Sequence, residues 1–542
     1  MEAPLSEHYL QWGPFQSIDL PGFLNSGLPG RRSCDSLKYN ASVGVQKSSH
    51  LHDDLEQIAL SLDNNPIVDY GYLMDEPDLT TADLVKRTWS RLSGSSVWLP
   101  EQRVFLVVTR VIFLGDQQVL RLPKASFLRG QIFDENWVHQ ENYTIKWDGE
   151  SLTFPLVFDI PVKYEGGVGE FYGPEDPRII LDDNVRGAEP VIIFNMIHER
   201  SDWKRAMYIF RPFSGHSTIL TIRGRGREEF EKNWSPFFLP SEDLKGKKSA
   251  GKPDEYIHFV YQFKPLSILK CHLKCGDCDF VFEQELPDNF MTPHDEDGAS
   301  LRGGTNLVPF PIPRSAGVHE DVRVYVAFPR TNVEAQCGNE YALHYRPEFV
   351  VIVIFRGSFH IAFASKALDF GSAIFELDEH DDPCDKGRIL IPNSISQWDT
   401  VQDVMTMTFS VDDRTVQIAR IRGLASFVRG LPQFQGLLKK NSPLNGEMLD
   451  LMNVLSSWTG DNVRACVVES AVNATHVASE MHEQLFPEAQ EPKEVDHPKR
   501  LSFKKSEEVA YKSEEVADES EEVADESKEV ADESEEVADA DP

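Results

Sequence analysis

The residue types best suited to chemistry stand in one short run, Gly173-Pro-Glu-Asp-Pro-Arg178. Two prolines fix the backbone on either side of Glu175 and Asp176, and Arg178 follows at once, so the charged side chains project from a rigid turn. A carboxylate held this way can accept a proton from a hydroxyl, and a nearby cation can stabilise a departing phosphate. The plainer alternative is a buried Asp–Arg pair that only closes a loop. A second run, Glu231-Lys-Asn-Trp-Ser-Pro-Phe237, follows the cationic stretch Arg223-Gly-Arg-Gly-Arg227. Lys232 suits a diphosphate as a point charge, and Asn233 and Trp234 suit a sugar face or a nucleobase. Arg225 and Arg227 read as a solvated loop.

Three further clusters follow apolar runs or turns. Ile197-His-Glu-Arg200 stands directly after Pro190–Met196, and polar groups at a strand exit are well placed to act. Glu199 is the general-base candidate there, while His198 reads as a satisfied histidine. Arg302-Gly-Gly-Thr-Asn306 is either ordinary turn chemistry or a close backbone approach to a ligand, with Thr305 and Asn306 as binding candidates. Asp412-Asp413-Arg414 is equally open, with Asp413 as its binding candidate. No phosphate-binding Gly loop, dinucleotide fingerprint, serine elbow or zinc-protease motif occurs, so neither a cofactor nor a catalytic metal is expected.

The elements that must position these groups read as strands. Short runs rich in Val, Ile, Phe and Tyr recur between turn-forming clusters: Val104–Phe113, Leu152–Val162, Pro190–Met196, Arg205–Phe210, Ser217–Ile222, Tyr256–Leu269, Val322–Phe328, Phe349–Ala364, Arg388–Pro392 and Val404–Val411. With no helix-length pattern between them, they predict an all-β sandwich, barrel or propeller. Residues 1–95 read as an irregular lead-in with one short helix, Thr81–Leu92. Residues 96–435 read as the β domain. Residues 436–490 form a helical extension with two helices, Met448–Trp458 and Asn462–Leu485. Residues 491–542 are predicted to be a disordered acidic tail: seven-residue units begin at Ser506, Ser513, Ser520, Ser527 and Ser534, with too few apolar positions for a coiled-coil seam.

The chain carries a formal charge of −34 over 542 residues, and 17 acidic against 2 basic residues from Ser506 onward account for −15 of it. That balance argues against non-specific nucleic-acid binding, which needs a basic footprint. Of the seven cysteines, Cys271, Cys275 and Cys278 are close enough to suggest zinc, but the fourth ligand is missing, so a disulfide or buried thiols are expected. Sequons at Asn40, Asn142 and Asn473 permit a secretory location, while the one at Asn233 is blocked by Pro236. No signal segment or membrane-spanning run is visible.

Taken together, Gly166-Gly-Val-Gly-Glu-Phe-Tyr-Gly-Pro-Glu-Asp-Pro-Arg178 and Glu231–Phe237 resemble the fungal β-1,2-mannosyltransferases of cell-wall mannan synthesis. Ser126-Phe-Leu-Arg-Gly-Gln-Ile-Phe-Asp-Glu-Asn-Trp137 and Ile391-Pro-Asn-Ser-Ile-Ser-Gln-Trp398 support the resemblance, which runs from about residue 90 to 430. A remoter similarity is to bacterial β-1,2-mannoside phosphorylases and hydrolases. In both, Glu-Asp-Pro-Arg, Lys-Asn, Gly-Gly-Thr and a late acidic residue occur in one order, here at Glu175–Arg178, Lys232-Asn233, Gly303–Thr305 and Asp412-Asp413. The resemblance implies a five-bladed β-propeller and an inverting transfer of mannose from GDP-mannose to a mannan, glycoprotein or glycolipid acceptor. It implies that Lys232 and Arg178 bind the donor diphosphate and that Asn233 and Trp234 hold sugar. It leaves the base open between Asp176 and Glu199. It also implies membrane association in the secretory pathway, at the Golgi, although the chain shows no anchor. The competing expectations are a β-1,2-mannoside phosphorylase or hydrolase, and a non-catalytic glycan-binding propeller.

Overall fold

The computed structural model describes residues 12–25, 31–69, 80–115, 123–162, 171–182, 185–239, 255–285, 299–312, 322–337, 340–355, 357–375, 380–434 and 461–486. These residues are mostly β. The first sheet is an antiparallel meander of Trp89–Leu99, Val104–Phe113, Ala125–Asp134 and the short Leu156–Val157. The second is Glu175–Ile180, Val191–Ile197, Arg205–Arg211 and His216–Ile219. In the third, Ser235–Phe237, Tyr256–Phe263, Leu266–His272 and Asp277–Glu283 pair in order, and Thr221–Ile222 adds parallel at the far edge.

The remaining large sheet has ten strands. One part runs Val308–Phe310, Val322–Ala327, Val350–Phe355 and Ser358–Ser365, and the other runs Leu390–Asp399, Val404–Val411 and Thr415–Arg422. Between them lies a hairpin from the start of the chain, Gln16–Leu24 with Lys38–Val45, which pairs with Ser358–Ser365 on one side and Thr415–Arg422 on the other. The lead-in is therefore not irregular. Its next segment is pinned as well. Asp53 forms a buried ion pair with Arg129, and the carbonyls of Leu51 and His52 accept from Arg91 and Gln131. The predicted helix at Thr81–Leu92 ends at Thr88, because Trp89 onward joins the first sheet, where its ring packs on Phe113 and Phe127.

The strand Val104–Phe113 is buried at every position, which is why its sequence is an unbroken apolar run except at Thr109 and Arg110. Two runs divide: Tyr256–Leu269 turns at Lys264-Pro265, and Phe349–Ala364 turns beyond Phe355. Two inner strands are bulged beside the charged residues. In Trp89–Leu99 the register slips between Leu92 and Ser95, with Ser93 at φ 53°. In Glu175–Ile180 it slips between Glu175 and Arg178, with Asp176 at φ 51°. Pro177 has no N–H to give to a ladder, so a bulge is the place a strand accommodates it.

The helix Asp461–Leu485 matches the second predicted C-terminal helix, whereas Met448–Trp458 and the acidic tail lie outside the described residues. Val463, Val467, Val468, Ala471 and Val472 are buried on one face and pack in a cluster with Phe23, Leu37, Leu301 and Val333. A disulfide, Cys34–Cys466, ties this helix to the N-terminal segment across 432 residues of sequence. Replacing both cysteines with serine is expected to lower the unfolding free energy by roughly 2–5 kcal/mol. A denaturant midpoint equal to that of the parent protein would mean that the apolar face alone holds the helix. The other pairs are Cys271–Cys278 and Cys337–Cys384, leaving Cys275 exposed and unpaired, so the 271–278 cluster is a disulfide and not a zinc site.

Candidate active site

The bulge at Asp176 brings the first charged run into a cluster of residues drawn from Ser93 to Asp413 along the chain. Glu175 is buried, and it is clamped from both sides. Its Oε2 accepts from Arg110 at 3.0 Å, and its Oε1 accepts from Arg205 through Nε at 3.0 Å and Nη2 at 2.8 Å. Arg110 reaches on to Asp176 Oδ1 at 3.3 Å, and Ser93 Oγ donates to the same oxygen at 3.3 Å. Gly173, just before this pair, has φ 89° and lies so close to Ser126 that a Cβ would sit 2.1 Å from its carbonyl oxygen, so only glycine fits.

The arginine and the glycine pair lock each other. Arg178 Nε donates to Gly304 O at 2.7 Å, while Arg330 donates to Gly303 O and, at 2.7 Å, to Asn233 Oδ1. A Cβ on Gly303 would sit 1.9 Å from Asn233 O, and one on Gly304 would sit 2.1 Å from Phe328 O. The Gly pair thus serves close backbone packing that seats two arginines beside Asp176.

Electrostatics sets the character of the cluster. Burial pushes the Asp176 carboxyl up, but Arg110, Arg178, Arg330 and Lys232 outweigh it and hold the pKa at about 2. Asp413 goes the other way: burial raises it, and the neighbouring Asp176 charge raises it further against Arg110, Arg330 and Arg388. Asp413 is half-buried, has φ 51°, and makes no hydrogen bond among the described residues. Burial around its ammonium, then the Arg205 charge, push the Lys232 pKa down, and because the residue as a whole is exposed, solvent screening tempers the effect. In sum, Arg110, Arg178, Arg205, Lys232 and Arg330 outnumber Glu175, Asp176 and Asp413. The excess positive charge suits an anion such as a phosphate ester.

Several expected residues fall elsewhere. Trp234 is only 4% exposed and packs edge-on against Phe259 and Tyr261 at 5.5 and 5.3 Å, so it is core and not a sugar platform. Thr305 Oγ1 accepts from Phe328 N, and Asn306 exchanges hydrogen bonds with the backbone of Ile395; both brace the inner strands. Glu199 is exposed at the start of the turn Glu199–Ser201, and the groups that act most on Asp176 and Asp413 do not include it. His198 is a satisfied histidine whose Nδ1 caps that turn. Arg110, Arg205 and Arg330 were not singled out in the sequence. A signal existed for Arg110, the lone charge in an otherwise largely apolar run. Among the described residues one grouping, Asp382, Cys384 and His482, has metal-ligand types, but the Cys384 sulfur is taken by its disulfide.

The class is thus a mostly-β protein in which a buried glutamate and a half-buried aspartate stand among several cations. The beta-mannosyltransferase family model matches residues 33–207 and 213–472, and the chain belongs to that family. Beta-mannosyltransferase 1 of Komagataella phaffii is 32% identical over 444 residues, covering 78% of this chain and 65% of the relative, so the chain spans somewhat less than two thirds of that relative's length. Beta-mannosyltransferase 3 of Candida albicans is 30% identical, covering 78% of this chain and 75% of the relative. A β-1,2-mannobiose phosphorylase from Listeria innocua aligns at 11% identity and a TM-score of 0.35, covering 63% of this chain and 92% of that one.

Proposed function

We propose that the chain is an inverting β-1,2-mannosyltransferase that moves mannose from GDP-mannose to the 2-hydroxyl of a mannoside terminus in mannan, glycoprotein or glycolipid. The observation that carries this reading is the pair of carboxylates displaced in opposite directions inside a cationic cluster. Groups whose surroundings separate their pKa values take separate roles in acid–base chemistry. Asp413, raised and without a hydrogen bond among the described residues, takes the proton from the acceptor hydroxyl. The oxygen attacks the anomeric carbon as its bond to phosphate breaks, and GDP leaves with the bonding electrons. Arg178, Arg330 and Lys232 hold the diphosphate as its charge grows. Asp176 stays ionised and faces the positive charge that develops on the sugar ring. A carboxylate held at about 2 is a weak base, and Glu199 is remote in charge, so neither suits proton removal as well as Asp413.

The antiparallel meanders suit a five-bladed propeller in which the N-terminal hairpin bridges the last two blades. Three disulfides and the exposed sequons Asn40, Asn142 and Asn473 favour an oxidising secretory compartment such as the Golgi. No helix among the described residues is long and apolar enough to cross a membrane.

The same cations would also hold inorganic phosphate, which keeps a phosphorylase as the second reading. Incubation with GDP-mannose and a mannobiose acceptor is expected to release GDP in step with trisaccharide. Release of mannose 1-phosphate from β-1,2-mannobiose and phosphate, without turnover of GDP-mannose, would overturn the transferase reading.

A further inference from the structure

A cavity of about 840 Å³ opens at the other end of the same inner strands. Its walls include Val97–Leu99, Ile180–Asp182, Asn306–Pro309 and Ile395–Trp398. Asp176 stands near the start of the strand Glu175–Ile180, whose far end lines this space, a separation of at most about 13 Å at ~3.3 Å per residue. Small polar groups fill the interior between the two ends: Ser96 N donates to Ser394 Oγ at 2.7 Å, and that hydroxyl meets Thr408 Oγ1 at 2.7 Å. The cavity is therefore separate from the charge cluster.

Its lining has a distinct chemistry. Trp98, Trp147 and Trp398 stand on it, all half-buried, and each indole is backed by a phenylalanine: Trp98 by Phe105 at 4.7 Å, Trp147 by Phe213 at 5.6 Å, and Trp398 by Phe310 at 5.6 Å. Backed this way, the rings are fixed plates with little rotamer freedom left to lose on binding. Gln102 and Gln397 add amides that both donate and accept. The rim charges Arg186 and Glu101 pair with each other at 3.4 Å and the remaining charged residue, Asp182, is buried, so the mouth has no excess positive charge for an anion. The volume lies within the range of small-ligand sites. Rigid aromatic plates interleaved with neutral donors and acceptors match a pyranose, which offers apolar C–H faces and equatorial hydroxyls together.

We propose that this cavity is a second, non-catalytic binding site for a neutral oligosaccharide. The choice of a mannose-rich chain as its occupant rests on the transferase reading; the site itself does not. The test is calorimetric titration of the full chain, without donor, using mannotetraose as the probe. The parent protein is expected to bind it, and Trp147→Ala and Gln397→Ala are each expected to weaken that binding, the tryptophan change by about tenfold. Initial rates of transfer to mannobiose stay at the parent level in both variants, because neither residue belongs to the charge cluster. Undiminished binding in both variants would place the oligosaccharide elsewhere and overturn the proposal, as would no binding by the parent protein. Binding that is lost in the variants of a chain with no transferase activity would uphold the site while removing the catalytic reading.

Discussion

Replacing Asp413 with asparagine is expected to lower kcat for mannosyl transfer about 10²–10⁴-fold, the share a positioned general base contributes. Asparagine keeps the shape of the side chain, and it tolerates the left-handed backbone at φ 51° as well as aspartate does, so the fold should persist. A base must be ionised to work, so the rate of the parent enzyme should climb with pH through the Asp413 pKa. That acidic limb should lie above the ordinary aspartate range, because burial and the Asp176 charge both raise the pKa. Asp413→Asn should lose the limb. Asp176→Asn should move it to lower pH, since the charge that lifts Asp413 is gone. A pH profile of kcat for the three proteins checks all of this. An Asp413→Asn enzyme within a few fold of the parent would remove Asp413 from the chemistry.

The second large effect is on stability. Glu175→Gln should cost roughly 3–5 kcal/mol, because Arg110 and Arg205 would stay buried with their counter-charge removed. The Glu175 side chain is 8% exposed, Arg110 9% and Arg205 10%, so solvent screens little of this. Transfer activity should fall as well, since Arg110 also holds Asp176. Urea unfolding at neutral pH measures the loss. A change under about 1 kcal/mol would show that the two arginines find other partners or water.

Much of this arrangement was legible in single stretches of sequence. Val104–Phe113 and Val404–Val411 end where their β-rich runs end, because turn residues bound both. Glu175, Asp176 and Arg178 stood out because two prolines confine them. The N-terminal hairpin was not legible: its partners, Ser358–Ser365 and Thr415–Arg422, lie more than three hundred residues away, and pairing at that range leaves no local mark. Arg205 and Arg330 begin strands, where a cation looks like ordinary punctuation until the fold brings it to Glu175 or Asn233. Trp234 misled for a related reason. Its neighbours in sequence are polar, but the direction it faces, just ahead of the strand Ser235–Phe237, is set by Phe259 and Tyr261. Asp413 was a binding candidate in the sequence, with nothing there to mark it as a base. In the fold, Asp412 caps backbone N–H groups of Gly387 and Ile389, whereas Asp413 makes no hydrogen bond among the described residues.

The most direct measurement is the anomeric configuration and linkage of the first product. Purified chain, GDP-α-mannose and a mannobiose acceptor should give one new mannose residue, β-linked to the terminal 2-hydroxyl, read by the one-bond C1–H1 coupling and the through-space contacts in NMR. A single displacement from an α-linked donor gives that inversion. An α-linked product, or a new bond at another hydroxyl, would contradict a single displacement onto the 2-hydroxyl with Asp413 as its base.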